Sequence, residues 1–124
     1  MVNDKIIAIA ENETTLGVYR LFFKELFPQV EVVIAPSTGL AEVVERLNPD
    51  LVMVGGKTMP GINGLRLIQM LRKTYQGPIV MGTADQDFGE AAVNLGAKEY
   101  FLKPFSVKTF CEVVTKYTDE KPVK

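Results

Sequence analysis

The sequence predicts an α/β domain built on a five-stranded parallel sheet with helices on both faces, and three observations carry that expectation. Five short runs rich in Val, Ile and other apolar residues alternate with five longer segments whose apolar residues recur at helical spacing. The first short run is apolar without alternation, as in a strand buried on both faces. Gly, Pro, Asn and Asp stand between the segments as turn signals. Strands that alternate with helices in this way pack as a doubly wound sheet through right-handed crossovers.

Taken in order, Lys5 to Ala10 is the first strand. Thr14 to Phe27 is the first helix, with Glu13 or Thr14 near its cap and Pro28 just past its end. Val18, Tyr19, Phe22, Phe23 and Leu26 share its apolar face, and Leu21 falls outside as an isolated exposed leucine. Val30 to Ala35 is the second strand, and Pro36-Ser37-Thr38 turns the chain into a short helix carrying Leu40, Val43, Val44 and Leu47. Asn48-Pro49 ends that helix, Asp50 to Val54 is the third strand, and a glycine-rich loop runs from Gly55 to Ile62. Asn63 caps a helix containing Leu65, Ile68 and Leu71. Gly77-Pro78 introduces the fourth strand, Ile79 to Gly82, which Thr83-Ala84-Asp85 leaves. A helix with Phe88, Ala91, Ala92 and Leu95 stops at Gly96, a left-handed C-terminal residue. Glu99 to Leu102 is the fifth strand, and after Lys103-Pro104-Phe105, Ser106 caps a last helix bearing Val107, Phe110, Val113, Val114 and Tyr117. The polar tail from Thr118 to Lys124 is expected to fray. With no repeat, low-complexity segment or linker, residues 1–124 read as one domain.

Composition narrows the chemistry. The chain is 47% hydrophobic and 23% charged with a formal net charge of −1, an ordinary globular balance. No basic block tracks a phosphate backbone, which argues against nucleic acid as a partner. The absence of histidine removes imidazole as base, metal ligand or phosphate carrier. Cys111 is alone, so no internal disulfide forms, in keeping with a reducing compartment. No apolar run approaches the roughly 18 residues of a membrane span, and Met1-Val2-Asn3-Asp4-Lys5 lacks the apolar stretch of a signal peptide. The expected location is cytoplasmic, with no membrane partner.

In a doubly wound sheet the working groups gather at the carboxyl ends of the strands. That singles out Ala10 to Glu13, Gly55 to Pro60, Gly82 to Asp85 and Lys103-Pro104. These segments resemble the response-regulator receiver family, and the likeness covers nearly the whole chain. Gly96-Ala97-Lys98-Glu99-Tyr100-Phe101-Leu102-Lys103-Pro104-Phe105 is similar to the family's fifth strand, where a lysine precedes a proline that is usually cis. Pro78 to Ala84 resembles the fourth strand and its switch threonine, and Met59 to Leu65 resembles the loop into the third helix, with Asn63 where aspartate is common. The resemblance implies a flavodoxin-like (βα)5 fold. It also implies a chemistry in which an aspartate ending the third strand accepts a phosphoryl group beside Mg²⁺ held by acids after the first strand. A lysine and a threonine then bind the phosphoryl oxygens, and an aromatic on the fifth strand turns inward.

Residue by residue, the likeness keeps Thr83, Lys103, Pro104 and the aromatic Tyr100, but Ala10 stands at the first acidic position and Glu11 at the second. Counting back from Pro60 puts the acceptor at Gly56, and counting forward from Pro49 puts it at Gly55; both counts reach glycine. Without that carboxylate there is no nucleophile for an acyl phosphate. With Glu11 as the clear remaining acid, Mg²⁺ binding is expected to be weak or absent. Lys103 is expected to pair with Glu11, because an unpaired buried ammonium is costly. Gly55-Gly56 reads as a permissive turn, or else as a side-chain-free pocket for a small anion. Thr58 lacks a neighbouring base to make it a substitute acceptor, and Lys57 reads as a solvated loop residue.

The expectation is therefore an atypical, non-enzymatic receiver that acts as a phosphorylation-independent protein–protein module of two-component-type signalling. Its candidate partner face is the last two helices and fifth strand, with Phe88 and Tyr100 as contacts. The last helix lacks the arginine-rich pattern of receivers that dimerise on DNA, although a homodimer stays open. An anion sensor and a regulator with an unusual acceptor are the alternatives.

Overall fold

The computed structural model describes residues 4–124; residues 1–3, on which the reading of an absent signal peptide partly rests, lie outside the described residues. Ten elements alternate along the chain: β1 (Ile6–Ala10), α1 (Glu13–Leu26), β2 (Glu31–Ile34), α2 (Leu40–Leu47), β3 (Leu51–Gly55), α3 (Gly64–Leu71), β4 (Ile79–Thr83), α4 (Gln86–Asn94), β5 (Glu99–Leu102) and α5 (Val107–Thr118). The sheet is wholly parallel in the order β2-β1-β3-β4-β5. The chain winds from β1 out to β2, then back past β1 to β3, so the order reverses between β1 and β3.

Successive strand side chains point to opposite faces, and this divides the core in two. Val52, Val54, Ile79 and Met81 pack with Leu40, Val44, Leu67, Ile68, Leu71 and Ala92, beneath α2, α3 and α4. Ile7, Ile9, Leu51, Met53, Val80 and Phe101 pack with Leu16, Tyr19, Phe23, Phe110, Val113 and Val114, beneath α1 and α5. Phe22, Phe23 and Phe27 meet Phe110 edge-on at centroid distances of 4.9 to 6.0 Å, which ties α1 to α5.

Several local expectations shift. Asn12, not Glu13 or Thr14, caps α1, accepting a hydrogen bond from Thr15 N at 2.9 Å. Its side chain has the short acceptor that a cap requires. The buried face of α1 runs through Thr15, Leu16, Tyr19 and Phe23. Val18 is left 38% exposed, while Leu21 is 55% exposed, in keeping with the sequence reading. β3 begins at Leu51 rather than Asp50, whose carboxylate accepts from Ile6 N at 2.8 Å, and it extends through Gly55. β4 likewise extends to Thr83. The tail does not simply fray: Val123 N donates to Leu26 O at 2.9 Å, Gln29 Nε2 to Lys121 O at 3.0 Å, and Lys124 pairs with Glu25 at 2.9 Å. The end of α1 supplies the free carbonyl that draws it back.

Candidate functional site

The carboxyl ends of β1, β3, β4 and β5 meet at one rim of the sheet, and alternation decides which face each terminal residue takes. Glu11 follows Ile7 and Ile9, Gly55 follows Leu51 and Met53, and Gly82 follows Val80, all on the α1/α5 face. Gly56 and Thr83 fall on the opposite parity. Gly55 and Gly82 are register partners in adjacent strands. Together they leave a trough without side chains, about 4.8 Å from strand to strand.

Glu11 and Lys103 meet across that trough. Glu11 Oε2 lies 2.8 Å from Lys103 Nζ, and the Glu11 side chain is 0% exposed against 17% for Lys103. The contact is a buried ion pair at the distance of a charge-assisted hydrogen bond, with Lys103 as the one group that meets Oε2. Oε1 accepts from Asn12 N at 2.9 Å. A Cβ at Gly55 would overlap the Glu11 carboxylate. Over Gly82 the space is taken by the Phe101 ring, 2.9 Å from where a Cβ would stand, and by the Tyr19 hydroxyl at 3.1 Å. Burial pushes the Glu11 carboxyl above its usual range, and the opposing pull of Lys103 and the Asn12 N–H does not fully offset it. Tyr19 is pushed well up by burial and then by the Glu11 charge.

On the other side of the backbone lies a cleft of about 130 Å³ lined by Asn12, Gly56, Lys57, Thr58, Thr83, Ala84, Asp85 and Lys103. A Cβ at Gly56 would sit 2.6 Å from Thr83 Oγ1. The two glycines are thus distinct: Gly56 faces the cleft and Gly55 faces Glu11. Ala10 is fully buried in the core beneath α2 and α3, where it supplies no ligand.

Three loops are tied across the cleft. Lys57 Nζ donates to Asp85 Oδ2 at 3.0 Å, and Asn12 Nδ2 to Thr58 Oγ1 at 3.3 Å. Asp85 N donates to Thr83 Oγ1 at 3.1 Å while Asp85 Oδ1 caps α4 through Phe88 N at 3.2 Å. The Lys57 hydrogen bond, then that of Phe88, holds the Asp85 carboxyl below its usual range. Lys57 is therefore a paired residue and not only a solvated one. Asn12 and Asp85 lie within the segments that the sequence singles out at the strand ends, but no role is assigned to either there. The signal was present in both cases, a short polar residue directly before a helix.

The Lys103–Pro104 peptide is cis. Tyr100 and Phe88 are both half-buried and pack against the core beneath α2, α3 and α4. Tyr100 lies on the backbone of α4, where a Cβ at Gly89 would overlap its ring.

Mg²⁺ fits this donor set poorly. Among the described residues no group of three or more His, Cys, Asp or Glu side chains is placed to hold a metal. The Glu11 carboxylate is committed to Lys103. Nor is any helix among the described residues long and apolar enough to cross a membrane.

A parallel (βα)5 sheet of this strand order, with lysine before a cis-proline and a threonine ending β4, defines a receiver-type domain. Residues 6–115 match the response regulator receiver domain family, and the chain belongs to it. Among curated relatives, the DNA-binding response regulator MtrA of Mycobacterium tuberculosis is 38% identical over 78 residues, covering 61% of this chain and 34% of MtrA. The chain thus spans about a third of the length of such relatives. The receiver domain of the sensor histidine kinase PA1611 from Pseudomonas aeruginosa, solved with magnesium in its active-site cleft, superposes with a TM-score of 0.80 at 18% identity, covering 94% of this chain and 99% of that one. The BeF3-activated receiver domain of Klebsiella pneumoniae RstA gives 0.79 at 24% identity, covering 94% and 100%. At such identities these structures speak for the fold alone. The chain is a receiver domain of the two-component response-regulator type.

Proposed function

We propose that this receiver works without phosphoryl transfer, as a non-enzymatic, cytoplasmic protein–protein module in a two-component-type pathway. The observation that carries the reading is the state of Lys103. Its charge is already met by Glu11, and the two residues at the end of β3, Gly55 and Gly56, offer no carboxylate. A phosphoryl acceptor needs a nucleophile and compensation for the charge that develops in transfer. In this reading Gly56 occupies the acceptor position, supported by its sharing a cleft with Thr83 and Lys103. Mg²⁺ binds weakly or not at all, because Ala10 and the glycines cannot ligate and Glu11 is buried.

The partner face is placed on α4, β5 and α5. β5 is an edge strand, Val93 and Leu102 are 41% and 44% exposed there, and Phe88 and Tyr100 present partly covered aromatic surface. The occupant is taken to be a signalling protein; a second copy of this chain is the competing occupant, and sedimentation of the isolated protein separates the two. With a net charge of −1 the module has no electrostatic case for nucleic acid. An anion sensor is the second reading, favoured by two lysines lining the cleft. Both are paired with carboxylates, and that weighs against it. Thr58 as an unusual acceptor is disfavoured, since its hydroxyl is engaged by the Asn12 amide and no base adjoins it.

Incubation with acetyl phosphate, or with beryllofluoride, in the presence of Mg²⁺ tests the proposal. The expected result is no gain in mass and no saturable amide shifts at Thr83, Tyr100 and Lys103. A mass gain of one phosphoryl group would overturn it.

A further inference from the structure

Acid and base are unevenly placed along this chain. Leu51 to Ala84 carries Lys57, Arg66, Arg72 and Lys73 and no Asp or Glu. Lys57 is met by Asp85, and Arg72 is held by the carbonyls of Tyr75, Gly77 and Gly96. Arg66 on α3 and Lys73 just past its end are both exposed, and neither forms an ion pair among the described residues. With Gln69 and the half-buried Met70 they line a groove of about 230 Å³. These four positions share one helical face, turned away from the face that buries Leu67, Ile68 and Leu71.

The neighbouring helix carries the opposite sign. α2 buries Leu40 and Val44 and exposes Glu42, Glu45 and Arg46, and neither glutamate forms an ion pair among the described residues. At about 100° per residue Arg46 falls on the far side of Glu42 from Glu45, so it thins the acidic charge without cancelling it. α2 and α3 pack side by side over the same core, and Val43 and Met70 add partly covered apolar surface. Each helix leaves the carboxyl end of one strand and returns to the start of the next parallel one, so the two run in the same direction. Glu42 and Arg66 hold the same place, the third residue of each helix. One exposed layer thus presents an acidic and a basic row side by side.

We propose that this layer is a homotypic docking surface, on which a second copy of the chain sits with α2 of each protomer over α3 of the other. A two-fold axis running between α2 and α3, parallel to both, produces that exchange, and a two-fold interface is one patch meeting itself. Glu42 and Glu45 then face Arg66 and Lys73 of the other copy, twice over. Unlike rows side by side suit a copy of this chain better than a partner of single sign, since a polyanion drawn to α3 is repelled by α2. Two helices of eight residues, each about 12 Å long, make a face at the small end of specific interfaces, so the dimer is expected to be weak and reversible. It does not use α4, β5 or α5, which stay open to a signalling protein, and it does not depend on whether phosphoryl transfer occurs.

Analytical ultracentrifugation of the full chain over a concentration series tests this, with two charge-reversed proteins beside the wild type. Glu42→Lys with Glu45→Lys makes both rows basic, and Arg66→Glu with Lys73→Glu makes both acidic. The wild type should show a reversible monomer–dimer equilibrium. Its dissociation constant should rise at least about fivefold between low salt and about 0.5 M salt, because exposed ion pairs are screened. Each variant alone should stay monomeric, and an equimolar mixture of the two should form heterodimers, since every row again meets its opposite. A wild type that is monomeric up to about 1 mM overturns the proposal. So does a variant that self-associates as the wild type does, or a mixture that associates no more than its components. Amide signals of the wild type followed on dilution need no variant, and they should shift in α2 and α3. Shifts confined to α4, β5 and α5 would place the contact on the other face and sink the idea, leaving the absence of phosphoryl transfer untouched.

Discussion

Removing Lys103 and removing Glu11 leave very different residues behind. The Glu11 side chain is wholly buried, so Lys103→Met strands a carboxylate in low dielectric, which typically costs about 3–5 kcal/mol. Lys103 is 17% exposed and can carry its ammonium to water along its stem, so Glu11→Gln is expected to cost about 1 kcal/mol. Urea unfolding of both variants checks the order, and equal losses would count against it. The pH dependence has a definite sign. Burial raises the Glu11 carboxyl above the ordinary 4.5, so the folded chain keeps this proton where the unfolded chain has released it. The group therefore favours folding most below 4.5 and progressively less as pH rises through its folded-state value. Without Lys103 the shift grows, so the deficit of Lys103→Met should shrink on acidification. The pairing of Glu11 with Lys103 was legible in the sequence because an acid after the first strand and a lysine after the fifth converge at one sheet rim. Which glycine faces which partner was not. It depends on the extended backbone continuing through Gly55, so that Gly55 takes the face of Leu51 and Met53 and Gly56 the face of Val52 and Val54.

Among the helices, two glycines at interior positions separate propensity from packing. Gly17 in α1 has nothing within 4 Å of where a Cβ would stand, so Gly17→Ala should stabilise the protein by about 0.5–1 kcal/mol. Gly89 in α4 carries the same intrinsic penalty, but a Cβ there would overlap the Tyr100 ring. Gly89→Ala is therefore expected to destabilise, and to become stabilising by about 1 kcal/mol once Tyr100 is replaced by Ala. Chemical denaturation of the double-mutant cycle measures this, and additivity would show that the ring does not seat on Gly89. The existence and type of all ten elements were legible, since uninterrupted apolar runs and helical spacing are direct consequences of burial. Their details were set by partners distant in sequence. Val18 turned outward because Leu16 and Thr15 took the buried face of α1, and the polar tail is held by Leu26 O and Glu25, which no local pattern announces.

At the scale of the whole molecule, each of the two cores is closed by a buried tyrosine, and the hydroxyls report on both at once. Tyr19 lies between α1, α5 and the sheet, 1% exposed, with no hydrogen-bond partner among the described residues. Tyr75 belongs to the opposite core and donates to Pro49 O at 2.8 Å. Beside it Arg72 donates to Gly96 O, Tyr75 O and Gly77 O, pinning the turns that lead into β4 and β5. Burial pushes Tyr19 well above 10 and Tyr75 up to about 12. Tyr117 on α5 is raised as well, by burial and by its hydrogen bond to Glu99. An acid whose pKa is raised on folding contributes stability that is intact below its unfolded-state value and is lost as pH climbs past it. Because the unfolded chain releases these protons near 10 while the fold withholds them, stability should decline steadily above that pH. Both cores carry such a group, so the decline should be one cooperative loss of the domain and not a local fraying. In a Tyr100→Phe variant, which leaves only Tyr19, Tyr75 and Tyr117 to absorb, phenolate absorbance and far-ultraviolet circular dichroism followed together across an alkaline titration should move in a single coincident transition. Ionisation of the buried tyrosines ahead of any loss of helix would show that at least one core opens on its own.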